Sequence, residues 1–187
     1  MKDQTTLTDR HLIRIYPSKG ITLVEVIISL TIIAILSTIA VPSIQNILLN
    51  SRLSSNSMEL SNAIFLARSE AIKRSRSVAV CESTNGTSCT GSHNWKNGWL
   101  VWVDTNGDEI LAVGEEVVQV RLEANSTSTI NSTESKSVIR FLATGFLAIN
   151  VAEQRNFTLC DSRTGENGKL INIRASGRVV VSTFSCT

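Results

Sequence analysis

The hydrophobic rhythm of the chain has three parts. From Ile21 to Val41 the residues are predominantly apolar, 15 of 21 positions. A helix rises about 1.5 Å per residue, so this stretch reaches about 31 Å, enough to cross the hydrocarbon core of a bilayer. Its isoleucines and valines are weak helix formers in water, but in lipid the backbone can bond only to itself. Farther on, Leu53, Leu60, Ile64, Ala67 and Ala71 recur at helical spacing, with Glu59, Asn62, Arg68, Glu70 and Lys73 between them. That pattern predicts an amphipathic helix with one buried face. After Ser75 the period drops to two. Ser77–Cys81, Gly98–Val103, Val117–Leu122, Val138–Phe141, Phe157–Cys160, Leu170–Arg174 and Val179–Phe184 read as strands. Asn106-Gly107, Gly145, Glu166-Asn167-Gly168 and Ser176-Gly177 mark turns between them.

Helix first and strands afterwards predicts an α+β fold, a long N-terminal α-helix packed on an antiparallel β-sheet head. The expected parts are 1–20 ahead of the apolar run, 21–41 as a transmembrane helix, 42–74 as its amphipathic continuation and 75–187 as a β-rich head. Pro42 should bend the helix locally, because it lacks the N–H that the helical ladder requires.

Charge narrows the functions available. Residues 1–20 carry Lys2, Arg10, Arg14 and Lys19 against Asp3 and Asp9, and the remainder balances 14 basic with 14 acidic side chains. A neutral body lacks the field that drives sequence-independent binding of nucleic acid. The cysteines, Cys81, Cys89, Cys160 and Cys186, form no C-x-x-C pair, and the histidines are His11 and His93. A zinc site is therefore not expected, nor any other metal or cofactor. One close pair and one later pair suit two disulfides, Cys81–Cys89 and Cys160–Cys186, in an oxidising compartment.

The apolar run is too long for a secretory signal, and no A-x-A cleavage site follows it. A plain anchor leaves Glu25 unexplained, since a carboxylate in a spanning helix is costly without a partner. Lys19-Gly20 followed by Ile21-Thr22-Leu23-Val24-Glu25 resembles the type III signal of type IV prepilins and pseudopilins. The resemblance implies cleavage by a prepilin peptidase between Gly20 and Ile21, which makes 1–20 a leader peptide, and N-methylation of Ile21. Glu25 stands where that family carries its glutamate, and Pro42 where it often carries a helix-kinking proline. The new amine of Ile21 and the Glu25 carboxylate are each expensive alone in lipid, so pairing between subunits would favour assembly. The competing reading has Glu25 snorkelling to the membrane surface.

The head resembles the GspH/FimT branch of minor pilins and pseudopilins, through Trp95, Gly98-Trp99, Val103-Asp104, Asn106-Gly107-Asp108, Glu115-Glu116 and Gly177-Arg178. What this implies is a minor type IV pilin, a structural subunit incorporated at or near the pilus tip that supports pilus assembly. Its partners would be the prepilin peptidase, other major and minor pilins, the inner-membrane assembly platform, and membrane lipid along Ile21–Val41. It would sit in the bacterial inner membrane with its head in the periplasm before entering the filament. A minor pseudopilin of a type II secretion system has the same architecture.

Three other features invite a function. Asp104, Asn106, Asp108 and Glu115 follow the first, third, fifth and twelfth positions of an EF-hand-like loop, but the glycine is displaced and a hairpin explains Asn106-Gly107 equally well. Arg163, Lys169, Arg174 and Arg178 form a basic segment, which makes a DNA-binding minor pilin for natural transformation the alternative. Gly177-Arg178 is followed by Val179-Val180, without the further arginine of DNA-binding relatives, and no aromatic interleaves these charges. DNA is therefore the less favoured partner. No nucleophile–base motif accompanies His93, so an enzyme is not expected. The polar Asn125–Ser137 stretch reads as a mobile surface loop.

Overall fold

The computed structural model describes residues 20–122, 128–133, 137–149 and 154–186, without the side chains of Ile39, Pro42, Glu166 and Asn167. The leader expected over 1–20 thus lies outside it, apart from Gly20. Helix α1 runs Leu23–Arg74, followed by β1 Val78–Glu82, β2 Gly98–Val103, β3 Val117–Leu122, β4 Thr129–Ser132, β5 Val138–Phe141, β6 Gln154–Cys160, β7 Gly165–Arg174 and β8 Val179–Cys186. The chain divides into two compact units, Met1–Ser43 and Ile44–Thr187.

In the first unit α1 begins with a cap. The Glu25 N–H donates to Thr22 Oγ1 at 3.3 Å, so Thr22-Leu23-Val24-Glu25 has the T-x-x-E order of a capping box. Every hydroxyl along the apolar run bonds back into its own helix. Ser29 donates to the Glu25 carbonyl, Thr31 to Ile28, Ser37 to Ile33 and Thr38 to Ile35, each at 2.7 Å. Ile21, Leu23, Ile28, Ile32 and Leu36 are all more than half exposed. Among the described residues no single helix is long and apolar enough to cross a membrane, but Leu23–Thr38 and Ser43–Arg74 pass that test together by length and composition. Pro42, within α1, cannot donate to the carbonyl four residues earlier.

In the second unit Leu53, Leu60, Ile64, Ala67 and Ala71 are completely buried, so the helical period finds its face. The helix closes with the Arg76 N–H on the Ala71 carbonyl at 3.2 Å, and Ser75 takes the left-handed conformation at φ 53°, a Schellman-type end. The strands form two four-stranded antiparallel sheets, ordered β3-β2-β1-β5 and β4-β6-β7-β8. Val78, Val80, Trp99, Val101 and Ile139 of the first sheet share one core with Ile130, Phe157, Leu159, Ile171 and Ile173 of the second and with the buried face of α1. Trp95 and Phe157 meet edge to face at 4.9 Å between ring centres.

The disulfides are Cys81–Cys89, with Cα atoms 5.7 Å apart, and Cys160–Cys186, at 6.0 Å. The second joins β6 to β8 across the intervening β7. It passes over Gly168, where a Cβ would lie 2.4 Å from Cys186 Sγ. Only glycine leaves that crossing open.

Three local expectations are corrected. The polar Asn125–Ser137 stretch contains β4, because Ile130 is buried and Thr129–Ser132 finds a ladder on β6. Asn106-Gly107 does not make a tight hairpin but sits inside the longer connection 104–116 between β2 and β3. Glu166-Asn167-Gly168 lies within β7, where the register shifts between Gly165 and Gly168, so its glycine marks a bulge and not a turn.

Candidate functional site

The N-terminal segment combines exposure with internal satisfaction. A Cβ at Gly20 would meet nothing within 4 Å, and Ile21 is 76% exposed. Glu25 opens the helix in its first turn, where a negative charge is favoured by the helix dipole. This capping role was legible in Thr22-x-x-Glu25, and the sequence reading passed over it.

The basic segment does not gather into one patch. Arg163 Nη2 lies 2.6 Å from Asp161 Oδ2, and it also donates to Asn50 Oδ1 at 3.0 Å. Asp161 is nearly inaccessible. Hydrogen bonds from the Arg163 guanidinium and backbone hold its carboxyl below the usual range, and the same contact raises Arg163. Arg163 thus ties the β6–β7 connection to α1. Lys169 is half-buried on the side of β7 that carries Ile171 and Ile173. Arg174 is five residues away, an odd number, and so faces the other side. The fold does bring Arg174 and Arg178 together. Both are exposed, and the Arg174 N–H donates to the Arg178 carbonyl at 3.0 Å across the β7–β8 turn.

The glycine beside Arg178 has a structural reason. Gly177 adopts φ +77°, and a Cβ there would stand 2.5 Å from the Gly145 carbonyl oxygen and 2.8 Å from Arg68 Nε. Arg68 Nε donates to that same carbonyl at 3.0 Å. The turn that presents the two arginines is thereby seated on α1.

The acidic motif is an interlocked loop. Asp104 accepts from the N–H groups of Gly107 at 2.8 Å and Glu109 at 3.3 Å. Asp108 accepts from Ile110, and Glu115 from Thr105 and Ala112. The Arg140 guanidinium stands 3.6 Å from Asp104 and 3.3 Å from Glu109, so a side chain already supplies positive charge. Among the described residues no group of His, Cys, Asp and Glu could hold a metal ion. Glu116 turns outward and pairs with Arg74 at 2.6 Å. Arg74 also pairs with Glu70, and its hydrogen bonds push both carboxyls below their ordinary range. Arg121 of β3 pairs with Glu59 of α1 and stacks over Trp99 at 4.5 Å. The Arg74–Glu116 and Arg121–Glu59 pairs bind helix to head; sequence spacing could not show partners so far apart along the chain.

A capped apolar helix leading into a two-sheet α+β head defines the class: a pilin-like subunit, membrane-anchored and structural, of the kind that includes minor type IV pilins and pseudopilins. Residues 56–182 match the family model of type II transport protein GspH, and this chain belongs to that family. Residues 16–41 match the prokaryotic N-terminal methylation motif, the signal through which pilin-type proteins are processed and assemble with one another. No curated protein matches the chain. Among solved structures it is similar to the type IV minor pilin FimU of Pseudomonas aeruginosa strain PAO1 in two crystal forms. One is 22% identical with a TM-score of 0.57, covering 73% of this chain and 96% of that one. The other is 20% identical with a TM-score of 0.52, covering 72% and 100%.

Proposed function

We propose that this chain is a minor type IV pilin that enters the filament at or near its tip and supports pilus assembly. Prepilin peptidase cuts between Gly20 and Ile21, and the new amine is methylated. Ile21–Val41 then holds the product in the bacterial inner membrane with its head in the periplasm. The processed chain engages the inner-membrane assembly platform and packs with major and minor pilins. The carrying observation is the N-terminal part of α1: apolar side chains uncovered, hydroxyls satisfied within the helix, and one carboxylate at its start. Such a surface is unfavourable in water and suited to lipid or to like helices. There the Glu25 carboxylate would pair with the terminal amine of a neighbour. The work is structural, with no catalysis by the head.

The family name favours a second reading, a minor pseudopilin of a type II secretion system. The DNA-binding reading retains Arg174 and Arg178 but loses Arg163, which is engaged by Asp161 and Asn50. Mass spectrometry of the membrane-extracted protein tests the proposal. Methylated Ile21 is expected as the first residue, and an intact leader in cells that contain the peptidase refutes it. Glu25→Ala should be processed normally yet vanish from sheared pili. Its retention there would remove the assembly role of the carboxylate, and a wild-type chain absent from pili but needed for secretion would favour the pseudopilin.

A further inference from the structure

We propose that Asn106 is a site of self-catalysed modification, deamidating through a cyclic imide to aspartate and isoaspartate. Asn-Gly is the sequence in which this reaction meets least steric resistance, because glycine has no Cβ to crowd the attacking nitrogen. Three Asn-Gly pairs have both side chain and backbone described: Asn85-Gly86, Asn97-Gly98 and Asn106-Gly107. Their chemistry differs in what the glycine N–H faces.

Gly86 N–H donates to the Ser83 hydroxyl at 2.9 Å, and Gly98 N–H donates to the Trp95 carbonyl. Neither acceptor is a useful base. Gly107 N–H donates to Asp104 Oδ1 at 2.8 Å, within the reach expected of a general base. That carboxylate is 1% exposed, so water competes little for it.

The other reacting atoms of Asn106 are held as well. Its Oδ1 accepts from the Asp108 N–H at 3.2 Å, and its Nδ2 donates to Asp108 Oδ2 at 2.7 Å. In the reaction the Gly107 nitrogen gives its proton to Asp104 and bonds to Asn106 Cγ. The oxygen gathers negative charge and keeps its backbone donor, as in an oxyanion hole. The Cγ–Nδ2 bond then breaks, and the nitrogen leaves as ammonia with the proton taken up by the carboxylates. Water opens the imide at either carbonyl and leaves one new carboxylate. No oxidant or reductant takes part. Asn85 isolates the contribution of the base: its Oδ1 accepts from Thr87 and Ser88, each at 3.0 Å, so it has the oxygen donors without a carboxylate on the glycine N–H.

The product places an additional negative charge on an exposed loop that already holds Asp104, Asp108, Glu109 and Glu115, and isoaspartate also lengthens the backbone there. The test is timed peptide mapping of the full chain in detergent at neutral pH, folded and in strong urea. Folded Asn106 should convert on the order of tenfold faster than Asn85, Asn97 or its own unfolded self, a modest share of what a positioned base can supply. In urea the sites should converge. Asp104→Asn, which keeps an acceptor but removes the base, should bring folded Asn106 down to the Asn85 rate. If that variant does not fold, the comparison between folded protein and urea stands alone. Conversion of folded Asn106 no faster than in urea, or no faster than Asn85, overturns the proposal.

Discussion

Two stretches of the same helix spend their apolar residues in opposite ways. Along Ile21–Val41 the described apolar side chains are exposed, and the hydroxyls of Ser29, Thr31, Ser37 and Thr38 are satisfied within three or four residues. Along Leu53–Ala71 most of them line one face, where Leu53, Leu60, Ile64, Ala67 and Ala71 are wholly buried, while Met58 and Phe65 stay exposed. Two polar residues of that stretch reach across the fold instead, Glu59 to Arg121 and Arg68 to Gly145. Apolar content alone does not distinguish these cases; its period does. A full circle of apolar residues needs a medium or a partner, whereas a stripe needs only its own head.

The contrast can be broken most directly by truncation. Leu60→Ala should destabilise the head by about 2–5 kcal/mol, as a cavity in a packed core does. Ile32→Ala should change it by less than about 0.5 kcal/mol. Urea titration of the full chain in detergent, followed by the fluorescence of the buried Trp95, Trp99 and Trp102, measures both. Equal effects would mean that the two stretches are not independent.

The disulfides sharpen the comparison, because all covalent reinforcement lies in the head. They span 26 and 8 residues, so loop entropy assigns about 3.5 kcal/mol to Cys160–Cys186 and about 2.5 kcal/mol to Cys81–Cys89. Paired serine variants should follow that order in the same titration. The reverse order would point to strain or to residual structure in the unfolded chain.

A smaller effect should appear in acid. Asp161 has its carboxyl lowered by Arg163. Its contribution is therefore fully present above the ordinary aspartate value of about 3.9 and fades as pH falls through the folded value. Asp161→Asn should lie below wild type at pH 7, and the gap should narrow under strongly acidic conditions. A gap constant with pH would assign the effect to packing instead of charge.

The buried face of α1 was legible because five apolar positions kept one helical period. β1 and β2 were legible because their apolar runs are short and bounded by turn residues. β4 was not: Thr129, Asn131 and Ser132 are polar, and Ile130 carries its burial alone. The loop 104–116 misled because Asn-Gly states a local preference, while Asp104, Glu115 and Arg140 set a longer path. At the basic segment the sequence displayed four cations but not their partners. Asp161 lies two residues from Arg163 and is visible in the sequence as a counter-charge, whereas Asn50 is distant and becomes a neighbour only through folding. The N-terminal methylation motif was the most readable part, since it is one continuous run of residues and needs no tertiary context.

β8 lies at the edge of its sheet and ends at Cys186. An edge strand pulled from its tip peels away like tape, breaking one rung after another under a small load. The bond that crosses Gly168 to Cys160 prevents this. A tug on the end of β8 enters β6 at the same moment and must shear the β6–β7 and β7–β8 ladders in parallel. The closing strand is thus fastened where tension would first lift it.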